Sequence, residues 1–238
     1  MAFHYSPNII TDGLVLYLDA ANTKSYISGS TTWNDISRGG NNGTLTNGPT
    51  FNGGNGGSIV FDGVDDYVNL GNILNPGLSS QTISLWCKVG SQISPGAGIL
   101  VSKGNESSIV IGYTIYVNTI SNLLQVRVNA NNTTTQRAWQ TLTFNNLTSY
   151  FNVVMVIDRI SNVVLGYYNG SNDGWVSGPL TNSISGFNSI TTTTPLFLGK
   201  STAYDLNGNI SNFMVYDRAL SSSEVLQNYN TTKSRFGL

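Results

Sequence analysis

The stretch Gly208-Asn-Ile-Ser-Asn-Phe-Met-Val-Tyr-Asp-Arg-Ala-Leu-Ser-Ser-Ser-Glu-Val225 joins a strand to the start of a helix. Its first half is rich in β-branched and aromatic residues, which favours a strand. Its second half contains Ser221-Ser-Ser-Glu224, a capping box in which the serine accepts from the third backbone N–H and the glutamate reaches back. Apolar residues then follow at helical spacing. We therefore predict a strand over 210–216 and one helix of about ten residues that ends near Asn230.

The rest of the chain is dominated by short strand-like runs. The run Thr82-Ile-Ser-Leu-Trp-Cys-Lys-Val89 alternates with period two, the signature of a strand. Trp86 lies on the otherwise polar face of this run, which suggests that this face is also covered. About a dozen such runs are separated by Gly, Asn, Asp or Pro, a pattern typical of a β-sandwich or barrel. No helical periodicity interrupts them, so a βαβ arrangement is disfavoured.

Two stretches and the N-terminus lack strand patterns. Residues 39–57 are rich in glycine and asparagine and are predicted to form a surface lobe or a long connection. Residues 169–194 are predicted to form turns around Trp175. Residues 1–11 are predicted to form a docking arm that precedes a single domain over 12–238. The arm carries the apolar residues Phe3, Tyr5, Ile9 and Ile10.

Composition excludes several classes of function. Charged residues make up 10 % of the chain and the formal net charge is −1. No basic stripe can neutralise phosphates, so we expect no nucleic-acid partner. No run approaches the ~18 apolar residues of a membrane span, so we expect no membrane insertion. The N-terminus also lacks the pattern of a secretory signal. The single cysteine, Cys87, lies in an apolar run and is expected to be a small buried residue.

A second informative stretch is Ser58-Ile-Val-Phe-Asp-Gly-Val-Asp-Asp-Tyr-Val68, in which a strand leads into an acidic turn. It resembles the F-x-G-x-x-D-Y-V segment of laminin G-like, concanavalin A-like jelly-roll domains. The stretch 208–225 is similar to the closing strand and helix of the same family. The resemblance covers residues 12–236. It implies an all-β fold, a two-sheet antiparallel jelly-roll sandwich of the concanavalin A-like kind with one short C-terminal helix.

The two ends of the chain resemble a subgroup frequent among virion proteins of tailed phages. The similar segments are 12–22 with Trp33-Asn-Asp-Ile-Ser37, and 227–236. Such domains serve as head decorations, head fibres or tail-fibre and baseplate parts. The resemblance implies a virion surface protein that is assembled in the host cytoplasm. Its expected partners are other virion proteins, bound through the N-terminal arm, host-surface glycans and further copies of the chain.

The same family includes glucanases, which makes a glycoside hydrolase an alternative. Glycoside hydrolysis needs two carboxyl groups about 5–9.5 Å apart. The only glutamates are Glu106, in a predicted loop, and Glu224, in the capping box. A Ser-His-Asp triad would require the only histidine, His4, which lies in the predicted arm. We therefore predict that the protein is not an enzyme.

Calcium is the candidate ion, and no cofactor is required. Asp62, Asp65 and Asp66 form the densest carboxylate cluster, and Asp205 and Asn207 lie on a loop that would approach it. Calcium is held by six to eight oxygens, and many relatives bind it at the rim of the sandwich. The alternative interpretation is that these carboxylates cap the backbone N–H groups of their own turn.

Glycan binding is predicted from aromatic platforms beside polar loops. Trp175 follows Asn172 and Asp173 in a predicted loop and is the best candidate for an exposed platform. Trp33 is the second candidate, although it resembles a structural element under the sheet. The main hypothesis is a virion surface protein that adheres to glycans. The alternative is a secreted or cell-surface carbohydrate-binding lectin module, located outside the cell, and a glycoside hydrolase fits least.

Overall fold

The computed structural model of the protein describes residues 8–90, 97–104, 111–118, 120–130, 136–144, 148–177 and 182–238. Within these ranges the regular secondary structure consists of sixteen strands, one α-helix, α1 (Ser222–Thr232), and two 3₁₀ segments (Gly54–Gly56 and Lys233–Phe236). The strands are β1 (Leu14–Asp19), β2 (Thr32–Trp33), β3 (Gly43–Thr46), β4 (Thr50–Asn52), β5 (Ser58–Asp62), β6 (Tyr67–Asn69), β7 (Gln81–Val89), β8 (Ala97–Lys103), β9 (Gly112–Asn118), β10 (Leu123–Asn129), β11 (Arg137–Thr143), β12 (Phe151–Asp158), β13 (Val163–Tyr168), β14 (Val176–Ser177), β15 (Leu196–Leu198) and β16 (Asn207–Tyr216).

The strands form two antiparallel sheets. The seven-stranded sheet has the order β13-β12-β7-β16-β5-β4, and β1 also pairs with β16. The nine-stranded sheet has the order β14-β11-β10-β9-β8-β15-β6-β3-β2. No helix among the described residues is long and apolar enough to cross a bilayer. The predicted two-sheet antiparallel sandwich with one C-terminal helix is confirmed.

The core lies between the two sheets because alternate residues of each strand point inward. On β7 the inward residues are Ile83, Leu85 and Cys87, and all three are fully buried. Burial raises the pKa of the Cys87 thiol well above its usual range, so this cysteine is an inert core residue, as predicted. On β10 the inward residues are Val126 and its period-two neighbours.

The outward face of the seven-stranded sheet is covered by the C-terminal segment. Trp86 points outward from β7 and is fully buried, because Phe236 and Tyr229 stack on it at ring-centroid distances of 4.2 and 5.7 Å. Its indole N–H donates to Thr232 Oγ1 at 2.8 Å. The prediction that this face is covered is confirmed, and the covering element is the helix and the turn that follows it.

The capping box is present at the start of α1. Ser221 is the N-cap residue, its hydroxyl accepts from the Glu224 N–H, and the Glu224 carboxylate accepts from the Ser221 N–H at 2.8 Å. The helix ends at Thr232, two positions beyond the predicted end. Arg218 donates to both Glu224 oxygens and joins the helix to β16.

The expectation that residues 39–57 are a loop is wrong. This stretch contains β3 and β4, which belong to different sheets, and Leu45 of β3 is buried in the core. These strands are short and rich in Gly, Thr and Asn, and their pairing partners β5 and β6 hold them in place. Tertiary pairing therefore overrides a local sequence that has little strand propensity.

The predicted N-terminal arm is in part a packed segment. Ile9 and Ile10 are half-buried against the outer cluster that includes Tyr216 and Val225. The Ile10 N–H donates to Asn228 Oδ1 at 2.8 Å, and the Tyr216 hydroxyl donates to the Ile10 carbonyl at 3.0 Å. Ile9 and Ile10 are therefore packed onto the domain and do not belong to a free arm. The remaining arm residues, including Phe3, His4 and Tyr5, lie outside the described residues.

The capping box predicts a pH dependence of stability. The hydrogen bonds from Arg218 lower the pKa of Glu224 to about 2, so its contribution is present above its ordinary pKa and is lost as pH falls toward 2. Glu224→Gln should lower the free energy of unfolding near neutral pH, and its difference from the wild type should shrink below about pH 4. Urea denaturation across this range measures the effect. Asp217→Asn, an exposed neighbour outside the box, is the control, and a wild-type difference that stays constant with pH would contradict the prediction.

Candidate functional site

The acidic turn after β5 brings three carboxylates together. Oxygens of Asp62, Asp65 and Asp66 lie within 4.8 Å of one another. Asp62 and Asp65 are exposed, and Asp66 is buried. The Asp66 carboxylate accepts from the Asp62 N–H at 3.1 Å, and the Asp62 carboxylate accepts from the Val64 N–H at 2.8 Å. Two of the three side chains therefore cap their own turn, and the three carboxylates are close enough together to contact one ion.

Electrostatics in this turn favour neutralisation of one carboxylate. Desolvation raises the pKa of Asp66, the hydrogen bond from the Asp62 N–H lowers it, and the charges of Asp62 and Asp65 raise it further. The net effect is a raised pKa. A bound cation would offset the same repulsion that a proton offsets.

The two further predicted ligands are placed differently. Asn207 pairs with Asp62 across β16 and β5, and its Cβ lies 2.8 Å from the position that a Cβ on Gly63 would take. Asn207 is therefore next to the acidic turn. Asp205 does not belong to the group of oxygens within 4.8 Å, and its backbone bridges to Lys200.

The turn at 171–174 carries the predicted polar ligands Asn172 and Asp173. Both are exposed, and Asp173 accepts from the Ser171 hydroxyl at 2.8 Å. Asn172 donates from its amide to the Gly166 carbonyl. Both residues line an open depression of about 450 Å³ beside the start of α1.

Neither predicted tryptophan is an exposed platform. Trp175 is half-buried against the core, and its ring lies on Gly166, where a Cβ would be 2.6 Å from the ring. Its indole nitrogen is buried and has no hydrogen-bond partner among the described residues. Trp33 is fully buried and packs edge-on to Tyr26. The prediction that Trp175 is exposed is wrong, because residues 171–177 fold back onto β13 and β11.

A third group of residues lies on the outward-pointing positions of the nine-stranded sheet, here called the outer face. Strand register aligns these residues in rows across the sheet. One row is Ser102, Thr114, Arg127 and Trp139, and the next contains Tyr116, Gln125 and Thr141. Their period-two neighbours point into the core, so the whole set faces away from the seven-stranded sheet.

Aromatic rings and guanidinium groups alternate on this face. The Arg127 guanidinium carbon lies 5.3 Å from the Tyr116 ring centroid and 5.8 Å from the Trp139 ring centroid. The Arg137 guanidinium carbon lies 5.3 Å from the Trp139 centroid. All four side chains are half-buried. Cation–π contacts of this length hold long side chains in fixed positions, and we call this set the ladder.

Amides and hydroxyls surround the ladder. Arg127 donates to the Gln125 carbonyl oxygen at 2.6 Å, and the Gln125 amide donates to the Thr141 hydroxyl at 3.1 Å. Arg137 donates from Nε to the Asn129 carbonyl oxygen at 3.3 Å. The Thr114 hydroxyl is buried and has no hydrogen-bond partner within the part of the chain that the structure describes.

A second aromatic pair lies further along the same face. Tyr67 on β6 and Phe197 on β15 meet edge-to-face at 5.5 Å, and both are half-buried. The Lys200 ammonium lies 4.7 Å above the Tyr67 ring. Between this pair and the ladder lies β8, whose outward residue Ser102 is buried and donates to the Lys200 carbonyl at 2.7 Å.

The sequence pattern contained a signal for this site. The runs 123–129 and 137–143 alternate apolar with polar or aromatic residues, which identifies Arg127, Arg137 and Trp139 as members of one exposed face. The hairpin register that brings them into contact is a tertiary property. The candidate ligand residues predicted from loops therefore do not include the ladder, because its members lie on strands.

Of the two glutamates considered as catalytic carboxylates, Glu224 lies within the described residues. Glu224 is engaged by Arg218 and Ser221 at the capping box. Glu106 lies outside the described residues. The strands of the nine-stranded sheet, as bounded above, contain no Asp or Glu, so the outer face lacks strand carboxylates for glycoside hydrolysis.

Residues 62–226 match a family model described as the concanavalin A-like lectin/glucanases superfamily. A comparison with curated protein sequences finds no match.

Among solved structures, the chain is similar to the binding domain of Paraclostridial Mosquitocidal Protein 1, with 17 % identity, a TM-score of 0.70, and coverage of 92 % of this chain and 52 % of that chain. It is similar to the binding domain of botulinum neurotoxin DC in complex with rat synaptotagmin II, with 15 % identity, a TM-score of 0.66, and coverage of 94 % and 52 %. It is also similar to the botulinum neurotoxin serotype D ligand binding domain in complex with N-acetylneuraminic acid, with 14 % identity, a TM-score of 0.65, and coverage of 92 % and 51 %. The chain spans about half the length of these solved chains, and at this identity the likeness concerns the fold.

The packing of Trp175 predicts a structural role for its ring. Trp175→Ala should lower the free energy of unfolding by about 2 kcal/mol, because it removes a half-buried ring from Gly166 and the core. Chemical denaturation measures this loss. Val176→Ala, at a highly exposed neighbour, should stay within about 0.5 kcal/mol of the wild type. Equal stability of the Trp175 variant and the wild type would show that the ring is not packed as described.

Proposed function

This chain belongs to the concanavalin A-like lectin/glucanases superfamily, and we propose that it acts as a non-catalytic carbohydrate-binding domain whose binding site is the outer face. The observation that carries the proposal is the ladder of Tyr116, Arg127, Trp139 and Arg137. Sugar rings present apolar C–H faces and a rim of hydroxyls. A surface that combines half-buried aromatic rings with fixed amide, hydroxyl and guanidinium groups matches both features.

The fixed geometry of the ladder supports binding. Each guanidinium is stacked on a ring and bonded to a side-chain amide, so little rotamer freedom remains to be lost when a ligand binds. The Thr114 hydroxyl in the same row is buried, so the half-buried rings and guanidinium groups are the ones that a ligand can contact.

The relatives support the same class of ligand. The solved structures similar to this chain are named as binding domains, and one of them is in complex with N-acetylneuraminic acid. Another is in complex with a protein, rat synaptotagmin II, so a protein receptor is the competing partner. The superfamily also includes glucanases by its description, and the non-catalytic assignment depends on the engagement of Glu224 and on the carboxylate-free strands of the outer face.

The location of the protein is proposed from sequence resemblance alone. The resemblance of the chain ends to tailed-phage proteins suggests a virion surface, and a lectin module suggests an extracellular setting. The solved structures named above are toxin binding domains, which gives the virion hypothesis no support. We therefore place the carbohydrate-binding module first among the functions considered.

Calcium at the acidic turn is a separate proposal. Asp62 and Asp65 are exposed, and with Asp66 they supply three carboxylates within 4.8 Å, while Asn207 lies beside the turn. Calcium should raise the unfolding temperature of the wild type and leave Asp65→Asn unchanged, because that variant loses one of the converging oxygens. Asp173→Asn, an exposed carboxylate outside the turn, is the control. Equal shifts in wild type and Asp65→Asn would show that calcium acts elsewhere.

Loss of the Trp139 ring from the ladder should weaken glycan binding. Trp139→Ala removes the ring that two guanidinium groups contact, and we expect affinity for any glycan that binds the wild type to fall about tenfold or more. The wild type is screened on a glycan array, and its ligands are then measured by calorimetry against the variant.

A control variant shows which of the two surfaces binds the glycan. Asp173→Ala changes the depression beside α1 and should leave affinity unchanged if the outer face is the site. Loss of binding in Asp173→Ala with full binding in Trp139→Ala would move the site to the turn 171–174. Silence of the wild type across a broad array, with and without calcium, would count against the proposed function itself.

A further inference from the structure

We propose that β4 is a docking site for an extended segment of a partner protein, which adds one strand to the seven-stranded sheet. The segment seats an apolar side chain in a pocket beside β4 and places a basic residue against the acidic turn. This site lies at an edge of the sandwich and not on the outer face, so it is independent of the carbohydrate-binding function. Binding of this kind takes its affinity from main-chain hydrogen bonds and its specificity from side-chain pockets.

The edge formed by β13 is covered by other parts of the chain. β13 and β4 lie at the two ends of the strand order in the seven-stranded sheet. On β13, the Val164 N–H donates to the Asn182 carbonyl at 2.8 Å, and the Gly166 N–H donates to Gln140 Oε1 at 2.7 Å. These contacts occupy backbone groups that a further strand would need.

The outer edge of β1 is covered in the same way. The Tyr17 N–H donates to Asp35 Oδ1 at 2.9 Å, and the Tyr17 carbonyl accepts from the Ile36 N–H at 2.9 Å. A loop therefore takes the place that a further strand would have beside β1. Covering an edge with a loop is a common protection against unwanted strand pairing.

The edge formed by β4 has no such cover. β4 pairs with β5 on one side, and within the described ranges its backbone forms no hydrogen bond to another element. In an antiparallel strand the N–H and C=O groups of alternate residues point to opposite edges, so at least one such pair of groups is free on β4. Thr50 and Asn52 are exposed. Because β4 has only three residues, main-chain pairing is short and an additional anchor is needed.

A pocket beside β4 provides this anchor. It has a volume of about 430 Å³, and its apolar lining comes from Tyr26, Leu45, Pro49 and Phe51. The Tyr26 and Phe51 ring centroids are 5.6 Å apart, and the Tyr26 hydroxyl donates to the Ser30 carbonyl at 3.0 Å. The rings are therefore held in place before a ligand arrives, which lowers the entropy lost when an apolar side chain binds.

Charge next to the pocket indicates the sequence of the partner segment. The described residues that line the pocket include no charged side chain, but two of them adjoin the acidic turn. The Asn47 amide donates to the Asp65 carbonyl at 3.1 Å, and a Cβ on Gly48 would lie 3.9 Å from Asp66 Oδ1. A lysine or arginine close to the apolar anchor would meet three carboxylates there. Such complementarity sets the orientation of the segment and speeds association.

A second copy of this chain is the competing occupant, and it fits less well. In a second copy, the side chain of Phe51 packs against the core of its own molecule, so it does not fill the pocket. Its neighbours Thr50 and Asn52 are uncharged and offer nothing to the acidic turn. A segment of another protein can supply both the apolar anchor and the positive charge.

The test begins with a display library of random eight-residue peptides, selected on the full chain with EDTA present so that no divalent cation shields the acidic turn. We expect selected peptides to contain a large apolar residue among β-branched residues, with Lys or Arg near one end. The best peptide is then synthesised and measured by calorimetry. N-methylation of a residue that pairs with β4 should weaken binding about tenfold, whereas N-methylation of its neighbour, whose N–H points away, should have a smaller effect.

Protein variants connect the binding to the pocket and the turn. Phe51→Ala should weaken the peptide about tenfold, and Asp65→Asn should weaken it about threefold and reduce its salt dependence. Asp173→Asn, at an exposed carboxylate elsewhere, is the control. Trp139→Ala should also leave peptide binding unchanged, because it alters the ladder alone. Near-UV circular dichroism verifies that the variants keep the fold.

Hydrogen exchange locates the peptide on the wild type without any variant. Peptide binding should slow amide exchange in Thr50–Asn52. The proposal is overturned if the library yields no peptide, if the selected peptide protects another part of the chain, or if it binds Phe51→Ala and the wild type equally. It is also overturned if the wild type sediments as a dimer whose β4 amides are protected without peptide, because a second copy then occupies the edge. Failure of glycan binding leaves these outcomes unchanged.

Discussion

Trp86 stacks on Phe236 at 4.2 Å on the outward side of β7, and this contact determines which surfaces of the sandwich remain available. The stack closes the outward face of the seven-stranded sheet under α1 and the turn after it. Arg235 fixes that turn by pairing with Asp19 of β1 at 2.7 Å and donating to the Gly57 carbonyl at 2.6 Å. The C-terminal segment therefore packs on one sheet, and the half-buried side chains of the ladder lie on the other, where the smaller neighbours Ser102 and Thr114 are buried.

The sequence predicts the parts of the fold that depend on local patterns. Alternation over 82–89 identifies the inward face of β7, and Ser221 with Glu224 identifies the start of α1. The strands β3 and β4 escape prediction because their residues have weak propensity and gain stability only by pairing with β5 and β6. Such pairing depends on strands elsewhere in the chain, so a local stretch of residues does not predict it.

The candidate site also has parts that the local sequence predicts and parts that depend on tertiary structure. The three carboxylates of the acidic turn are neighbours in sequence, so their convergence is predictable and is confirmed. The ladder joins residues from three strands, and its contacts depend on the register of two hairpins. The prediction that Trp175 is an exposed platform is wrong because the position of its ring also depends on tertiary packing. A loop can fold back onto the sheet, and the absence of a Cβ at Gly166 provides the space that its ring occupies.

Because the chain has few charged residues, each cation on the outer face contributes a large share of the local charge. In a surface rich in ion pairs, an arginine is usually neutralised by a neighbour and adds little specificity. Arg137 and Lys200 instead lie against aromatic rings and form no ion pair with described residues, and stacking partly removes them from water while leaving N–H groups for a ligand. Because stacking restricts these side chains before a ligand arrives, less rotamer entropy is lost on binding than for flexible surface cations. The restrained guanidinium groups of the ladder, together with the rings on which they stack, are therefore the part of this sheet that supports the proposed binding surface.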